Sequence, residues 1–302
     1  KENKTMTKTK MKVKDVRSKF SVLTVVMLVL LTVYCLILIT ILGWSLMTAF
    51  KGTFDFGENE VGFPKPWTFE TIKAAWTDAS MKTFLTNTRV SRGEIIWNTI
   101  VYAVGCSLVN TVVMCVVAYL CARYPCKFSK IVYATVLVVM VVPIIGNQAS
   151  ELQMSIRLGL YDRMWGMLIM RASFLGIYFL VFYDIFKATP KTYAEAAEID
   201  GAGDFAIMLR VYFPIAANTF LTILLISFIT YWNDYQTPMV YVPEHPTLAA
   251  FVFDLRRQSD EPFGTTPGRM AVSWMALLPV VILFIAFNKK LLGNLSIGGI
   301  KG

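Results

Sequence analysis

The run TYAEAAEIDGAGDFAIMLRVYFP, from Thr192 to Pro214, lies between two long apolar stretches. Acids stand at Glu195, Glu198, Asp200 and Asp204 with no base among them, and glycines at Gly201 and Gly203. Pro190 ends whatever precedes the run. Thr192 with Glu195 three residues on has the form of a capping box, which marks a helix start. The residues YAEAAEID are good helix formers, and the two glycines supply the backbone freedom to stop them. Asp204 is placed to cap a second helix, FAIMLRVYF, and Pro214 falls where the next apolar run begins. The expectation is helix, glycine turn, helix. So short a helix is marginal alone and needs a surface to dock against. A helix lying on lipid would carry bases on its polar face. Acids stand there instead, which points to a protein partner.

The chain around this insert reads as a membrane protein. Of its 302 residues, 56% are hydrophobic and only 16% charged, against about a quarter charged in a soluble domain. Six apolar runs are near the ~20 residues that cross a bilayer core: 22–47, 95–121, 131–148, 164–187, 213–235 and 270–290. They are too long, and alternate too little, for the strands of an outer-membrane barrel. The expected fold class is therefore an all-α membrane protein of six transmembrane helices, with the insert between spans four and five. No repeat or linker divides it, so 1–302 reads as a single domain: a basic tail 1–21, a six-helix core 22–290 and a tail 291–302. The first run is too long for the core of a signal peptide and reads as a retained span.

Charge fixes the expected orientation. Much of the net +9 lies before the first run, at Lys1, Lys4, Lys8, Lys10, Lys12, Lys14, Arg17 and Lys19. Cationic flanks stay in the cytoplasm, so topology accounts for this tail and no nucleic-acid partner is expected. Six spans put both termini on one side. The loop ARYPCKFSK, with Arg123, Lys127 and Lys130, and the C-terminal Lys289, Lys290 and Lys301 agree with that side. The insert is then cytoplasmic, and 48–94, 149–163 and 236–269 face outward. PKPWTFETIKAAWTDA in the first of these has the look of a short surface helix, and Pro143 is placed to kink or end span three.

Several chemistries find no support. Cys35, Cys106, Cys115, Cys121 and Cys126 have no histidine near them to complete a metal set, and read as small apolar residues or free thiols. His245, the single histidine, precedes Pro246 in a loop and offers no nucleophile system. No cofactor or metal site is expected. There is also no G-x-x-x-x-G-K-[ST] phosphate loop, so ATP hydrolysis by that route is excluded.

The insert resembles the signature loop of permease subunits of ATP-binding-cassette importers. Glu195-Ala196-Ala197, Gly201, then Val211, Phe213 and Pro214 meet every spacing of that loop, although isoleucine and leucine are commoner than Val211 and Phe213. The chain looks most like the smaller six-span subunit of maltose-type sugar permeases. RLGLYDRMWGMLI, EIDGAG, YWNDYQTPMVY and the ending LLGNLSIGGIKG carry this likeness, which covers about Trp97 onward. The resemblance implies the type I importer permease fold in a bacterial cytoplasmic membrane. It implies a non-catalytic subunit whose partners are a second related permease, two cytoplasmic ATPase subunits and an external solute-binding protein. In that family the loop is the coupling helix. Glu195 would meet a basic residue of the ATPase, Ala196, Ala197 and Gly201 would allow close packing, and Asp200 and Pro214 complete the motif. The C-terminal tail would also contact the ATPase pair.

A sugar path needs aromatic faces for CH surfaces and amides or acids for hydroxyls. Tyr231, Trp232, Asn233, Asp234 and Tyr235, at the outer end of span five, offer both; an interfacial aromatic belt is the competing reading of the aromatics. Loop 241–269 resembles the external loop that reaches the binding protein, with Pro243, His245 and Pro246 shaping it. Arg171 in span four either snorkels to the headgroups or lines a polar cavity paired with an acid. The reading is a carbohydrate importer subunit. Polyols, glycerol phosphate and acidic saccharides are alternative cargoes, and an ATP-independent secondary transporter is the rival class.

Overall fold

The computed structural model describes residues 22–77, 80–83, 85–142, 146–257 and 263–294. The basic tail, Pro143, Pro262 and the ending 295–302 lie outside them. Two compact units divide the chain after Met47.

The first unit is the body of α1 (Val22–Ala49), 28 residues without a charge. At 1.5 Å per residue it is about 42 Å long, more than a bilayer core needs. Two of its threonines bond back to their own helix: Thr32 Oγ1 donates to the Leu28 carbonyl and Thr40 Oγ1 to that of Leu36, each at 2.8 Å. Hydrocarbon offers a hydroxyl no water, so this back-bond is what admits threonine there.

The second unit begins with the predicted surface helix and its surroundings. These are α2 (Thr53–Glu58), α3 (Glu70–Thr77) and an antiparallel hairpin of β1 (Ser80–Lys82) and β2 (Arg89–Ser91). Lys51 is buried among them, its Nζ donating to the carbonyls of Asn59 at 2.5 Å and Glu60 at 3.3 Å. Then comes α4 (Arg92–Arg123), about 48 Å of continuous helix started by a Ser91–Glu94 capping box.

Among the described residues, four helices are long and apolar enough to cross a membrane: α1, α4, the stretch Asp204–Asn233, and Thr266–Phe287 within α14 (Thr266–Asn294). Two of the six expected spans differ. The third, expected over 131–148, is α5 (Lys127–Val141), 15 residues long. It begins earlier because Cys126 and Ser129 cap one another's backbone N–H. The fourth, expected as one helix over 164–187, is two: α7 (Met164–Met170) and α8 (Ile177–Ala188). The freed carbonyls of Arg171 and Ser173 at the break both accept from Asn110 Nδ2 on α4, at 3.1 Å each. A broken helix survives at membrane depth only when such groups are re-satisfied.

The fifth span is also composite. Short α10 (Asp204–Ile207) runs through one π turn (Met208–Tyr212) into α11 (Phe213–Asn233). Pro214 explains the π turn. Its ring would clash with the Arg210 carbonyl of a regular helix, and it donates no hydrogen bond. One extra residue per turn, with Phe213 N–H reaching the Met208 carbonyl, moves that strain out of the α ladder.

Among the described residues, buried side chains gather in three clusters along α4. One joins Tyr119, Cys115 and Ala118 to Phe182, Phe186 and Tyr212. The middle one holds Tyr102, Cys106, Met167, Tyr241 and Val242. The third packs Ile95 with Ala75, Met81, Phe251, Phe263 and Val272. All five cysteines are free thiols.

Candidate functional site

The insert forms as helix, turn, helix, with differences in detail. Its first helix, α9, is Thr192–Ile199. Thr192 does not cap it. Lys191 already has helical φ and ψ, and its carbonyl accepts from Ala194 N and Glu195 N, so Thr192 lies inside the first turn. Asp204 does not cap α10 either: extended Gly203 occupies that position. The glycine turn is a Schellman closure. Ala202 N–H donates to the Ala197 carbonyl at 2.9 Å and Gly201 N–H to that of Glu198 at 3.0 Å. Gly201 has φ +83°, which explains the glycine; space does not, since a Cβ there would meet nothing within 4 Å.

The two faces of the insert then separate. Ala194 is fully buried in the α4–α8–α11 cluster, with Ala197 and Ala202 partly so. Glu195, Ala196, Ile199, Asp200 and Phe205 are exposed. Ala197 thus packs inward and Ala196 outward. Two of the four acids serve the chain itself. Arg123 Nη2 donates to Glu198 Oε1 at 3.3 Å, and Tyr124 OH to Asp204 Oδ1 at 2.7 Å. Burial, and then the bond to Asp204, push the Tyr124 hydroxyl up. Among the described residues Glu195 and Asp200 have no side-chain partner. Pro214 is exposed on the helix beyond the π turn.

At the other end of α11, the expected path residues part company. Tyr231 sets its ring edge to face on Tyr102, 5.7 Å between centroids, and Asp234 Oδ2 accepts from Tyr102 OH at 2.8 Å. Trp232 is aimed elsewhere, its Nε1 donating to the Ala276 carbonyl of α14 at 3.0 Å, near the Pro279 interruption. It also lines a nearly apolar cavity of about 170 Å³ with Ile95, Phe251, Val272 and Met275. Asn233 Nδ2 donates back to the Ile229 carbonyl, and Tyr235 stacks on Phe253 at 4.2 Å. Both are exposed.

Arg171 stands at the C-terminus of α7, at the break in the fourth span, and does not reach outward alone. Its Nη2 is 3.9 Å from Glu151 Oε1 on α6 (Gln148–Arg157), and its guanidinium lies 5.9 Å from the Tyr241 ring centroid. Tyr102, Tyr231 and Tyr241 share one cluster, to which Asp234 is tied through Tyr102, and Arg171 and Glu151 are tied through Tyr241. Sequence reasoning missed Tyr102, Asn110 and Glu151. A signal for two of them existed: Asn98, Tyr102, Cys106 and Asn110 recur every four residues within an apolar helix, a polar stripe on one face.

The turn 241–248 joins α12 (Gln236–Tyr241) to α13 (Leu248–Asp254) and is tied down throughout. Pro243 and Pro246 are buried and His245 is half-buried. Asn98 Nδ2 donates to the Pro246 carbonyl at 3.3 Å, and Leu248 N–H to Thr99 Oγ1 at 2.8 Å. Glu244 accepts from Leu85 N–H, Thr86 N–H and Thr86 Oγ1 at 3.1, 2.9 and 2.6 Å. Those bonds, led by the Thr86 hydroxyl, hold its carboxyl below the usual range.

Comparison with known proteins places this geometry. Over 267 residues the chain is 27% identical to the melibiose/raffinose/stachyose import permease protein MelC of Bacillus subtilis (strain 168), covering 85% of this chain and 89% of that one. It is 26% identical to the multiple sugar-binding transport system permease protein MsmG of Streptococcus mutans serotype c, covering 90% and 95%. A chain of a bacterial ABC transporter involved in import of the acidic polysaccharide alginate superposes with TM-score 0.75 at 19% identity, over 90% of this chain and 97% of that one. That likeness shows a shared fold. Residues 114–291, more than half the chain and including the whole insert, match the family described as binding-protein-dependent transport system inner membrane component, and the chain belongs to that family.

Proposed function

We propose that the chain is the carbohydrate-importer permease subunit that forms half of a translocation pathway and docks an ATPase through α9. The observation that carries this reading is the division of the insert. Ala194, Glu198 and Asp204 are used by the chain's own bundle, while Glu195, Ala196 and Asp200 are left free on a rigid, Schellman-closed helix. A short helix held this way transmits motion as a body when it sits in a socket. An ion pair from Glu195 to an ATPase base would be shielded there and exceed an exposed pair.

The remaining parts follow from that reading. The family is one of transport components, and the chain is a non-catalytic member of it. A second related permease completes the path, two ATPase subunits drive it, and an external binding protein delivers the cargo. Residues 22–290 act as one permease core with six membrane passages, two of them the short α5 and the broken α7–α8. The end bearing α9 faces the cytoplasm, and both termini lie on that side. Tyr231 and Asp234, with Tyr102 and Arg171, line the path. Asn233 and Tyr235 stand at its mouth, and Trp232 holds its wall. His245 contacts the binding protein over a turn that Pro243 and Pro246 shape from beneath.

A neutral saccharide fits the polar cluster better than an anion does. Arg171 is its one base, paired with Glu151 at 3.9 Å, and Asp234, bonded to Tyr102, adds a second carboxylate, so a phosphate or a uronic acid would meet net repulsion. Tyrosine rings beside carboxylate and hydroxyl acceptors are the groups a sugar requires. The name of MelC, an import permease for melibiose, raffinose and stachyose, points the same way, whereas the structural neighbour belongs to an importer of an acidic polysaccharide.

Isolation of the tagged chain from native membranes in mild detergent, with mass spectrometry of its companions, tests the reading. A second permease, an ATPase and a binding protein that takes up a neutral saccharide are expected. A chain that arrives alone and moves solute in liposomes without ATP would overturn it.

A further inference from the structure

Arg123 and Tyr124 are consecutive residues at the end of α4, and between them they grip both halves of the insert. Arg123 reaches Glu198 on α9, and its guanidinium also lies 5.9 Å from the Tyr212 ring centroid in the π turn. Tyr124 reaches Asp204 at the start of α10. The Gly201 turn lies between these two contacts. Beneath them, Tyr119 packs edge to face on Tyr212, Phe186 and Tyr124, with centroids 5.1, 5.7 and 6.3 Å away. Arg123 is mostly buried, its side chain 15% exposed against 52% for Glu198. This pair is better shielded than an ordinary surface ion pair.

The same helix carries the other sites. Asn110 holds the carbonyls at the break between α7 and α8. Tyr102 holds Asp234. Asn98 and Thr99 hold the 246–248 turn. From Arg123 back to Tyr102 is about 21 residues of unbroken helix, roughly 32 Å. No proline interrupts α4, so a displacement at one end is conveyed to the other with little bending.

We infer that Arg123 and Tyr124 are positioning residues of the transport cycle. They fasten the coupling insert to α4 so that the insert and this helix move as one body, and the ATPase stroke reaches the Tyr102–Asp234 contact through α4. The inference rests on the reading of α9 as the ATPase-docking helix. It adds that the stroke runs through α4, not only through the helices α8 and α11 that flank the insert in sequence.

The test uses the complete importer reconstituted in liposomes, reading solute uptake and ATP hydrolysis together. Tyr124→Phe with Glu198→Gln removes one hydroxyl and one charge and leaves the core intact. Expected is a fall of about fivefold or more in uptake per ATP hydrolysed, the low end of coupling between linked sites, with ATPase activity retained. Exchange of the charges, Arg123→Glu with Glu198→Arg, should restore coupling lost in Arg123→Glu alone. Spin labels at the exposed Leu120 and Ile199 should keep one narrow distance through the nucleotide cycle in the parent, and a broadened one in the double variant. Unchanged uptake per ATP in the double variant would overturn the inference. Loss of uptake on Glu195→Lys in the same preparation would show that the docking reading stands without it. If Glu195→Lys had no effect either, the docking reading itself would be the one to fall.

Discussion

The two ends of α4 handle polar groups in opposite ways. At the end bearing α9, two carboxylates are tied and two are left free. At the end bearing α12 and α13, Glu244 takes three donors, Asn98 and Thr99 bind turn backbone, and Lys51 is sunk among carbonyls. Buried or semi-buried polar groups are costly unless paired, so the second end is built as a brace. Exposed acids without partners cost the isolated chain nothing and remain available to another subunit. The contrast separates polar residues that hold the fold from those held ready for contact.

The largest effect should come from the free side. Glu195→Lys reverses a charge that supports nothing within the chain, so insertion and thermal stability should be unchanged. Uptake by the reconstituted importer should fall at least tenfold, within the usual range of site-to-site coupling. A variant that lost expression along with uptake would place Glu195 on the structural side of the contrast.

Next, Trp232 and Asp234 are neighbours with opposite surroundings. Trp232→Ala opens space against α14 and orphans an indole acceptor, and should lower stability by about 3 kcal/mol, the low end for a tryptophan because it is only half-buried, read as a shift in the detergent unfolding midpoint. Asp234→Asn keeps the volume and should leave that midpoint nearly in place while raising the solute concentration for half-maximal uptake. Reversal of the two outcomes would move the path to the α14 side of α11.

A smaller change is expected at the turn. Gly201→Ala forces a side chain into left-handed backbone and should cost about 1–2 kcal/mol, while Gly203→Ala, at extended φ, should cost much less. Equal costs would mean that the Schellman closure does not set the insert's shape.

The smallest effect is a pH dependence at the brace. The Glu244 carboxyl is held below its ordinary range by Thr86 and Leu85. Its contribution is therefore complete above the ordinary carboxylate pKa and is lost as pH falls through the lowered folded value. The unfolding midpoint should drop slightly more on acidification in the parent than in Glu244→Gln. Parallel curves would remove Glu244 from the brace.

Much of this was legible in the amino-acid sequence because it depends on local chemistry. Long apolar runs require helices in a bilayer, and a glycine after YAEAAEID stops one wherever it occurs. The capping role of Thr192 was misread because Lys191 after Pro190 already adopts helical backbone, which no spacing rule reports. The break after Arg171 was hidden for a different reason. Nothing local in RASFLG demands it; it is stabilised by Asn110, sixty residues away in sequence, through tertiary contact. Trp232 and Asp234 likewise share one motif but face different neighbours, which only packing decides.

The most direct test of the central claim is cross-linking from α9. A photoreactive residue in place of the exposed Ile199, one turn from Glu195, should be illuminated in the intact importer with and without ATP. The account predicts adducts to the ATPase subunit, from a helix that keeps its own fold in both states. Adducts to lipid alone, in a preparation where the ATPase is present and active, would contradict it.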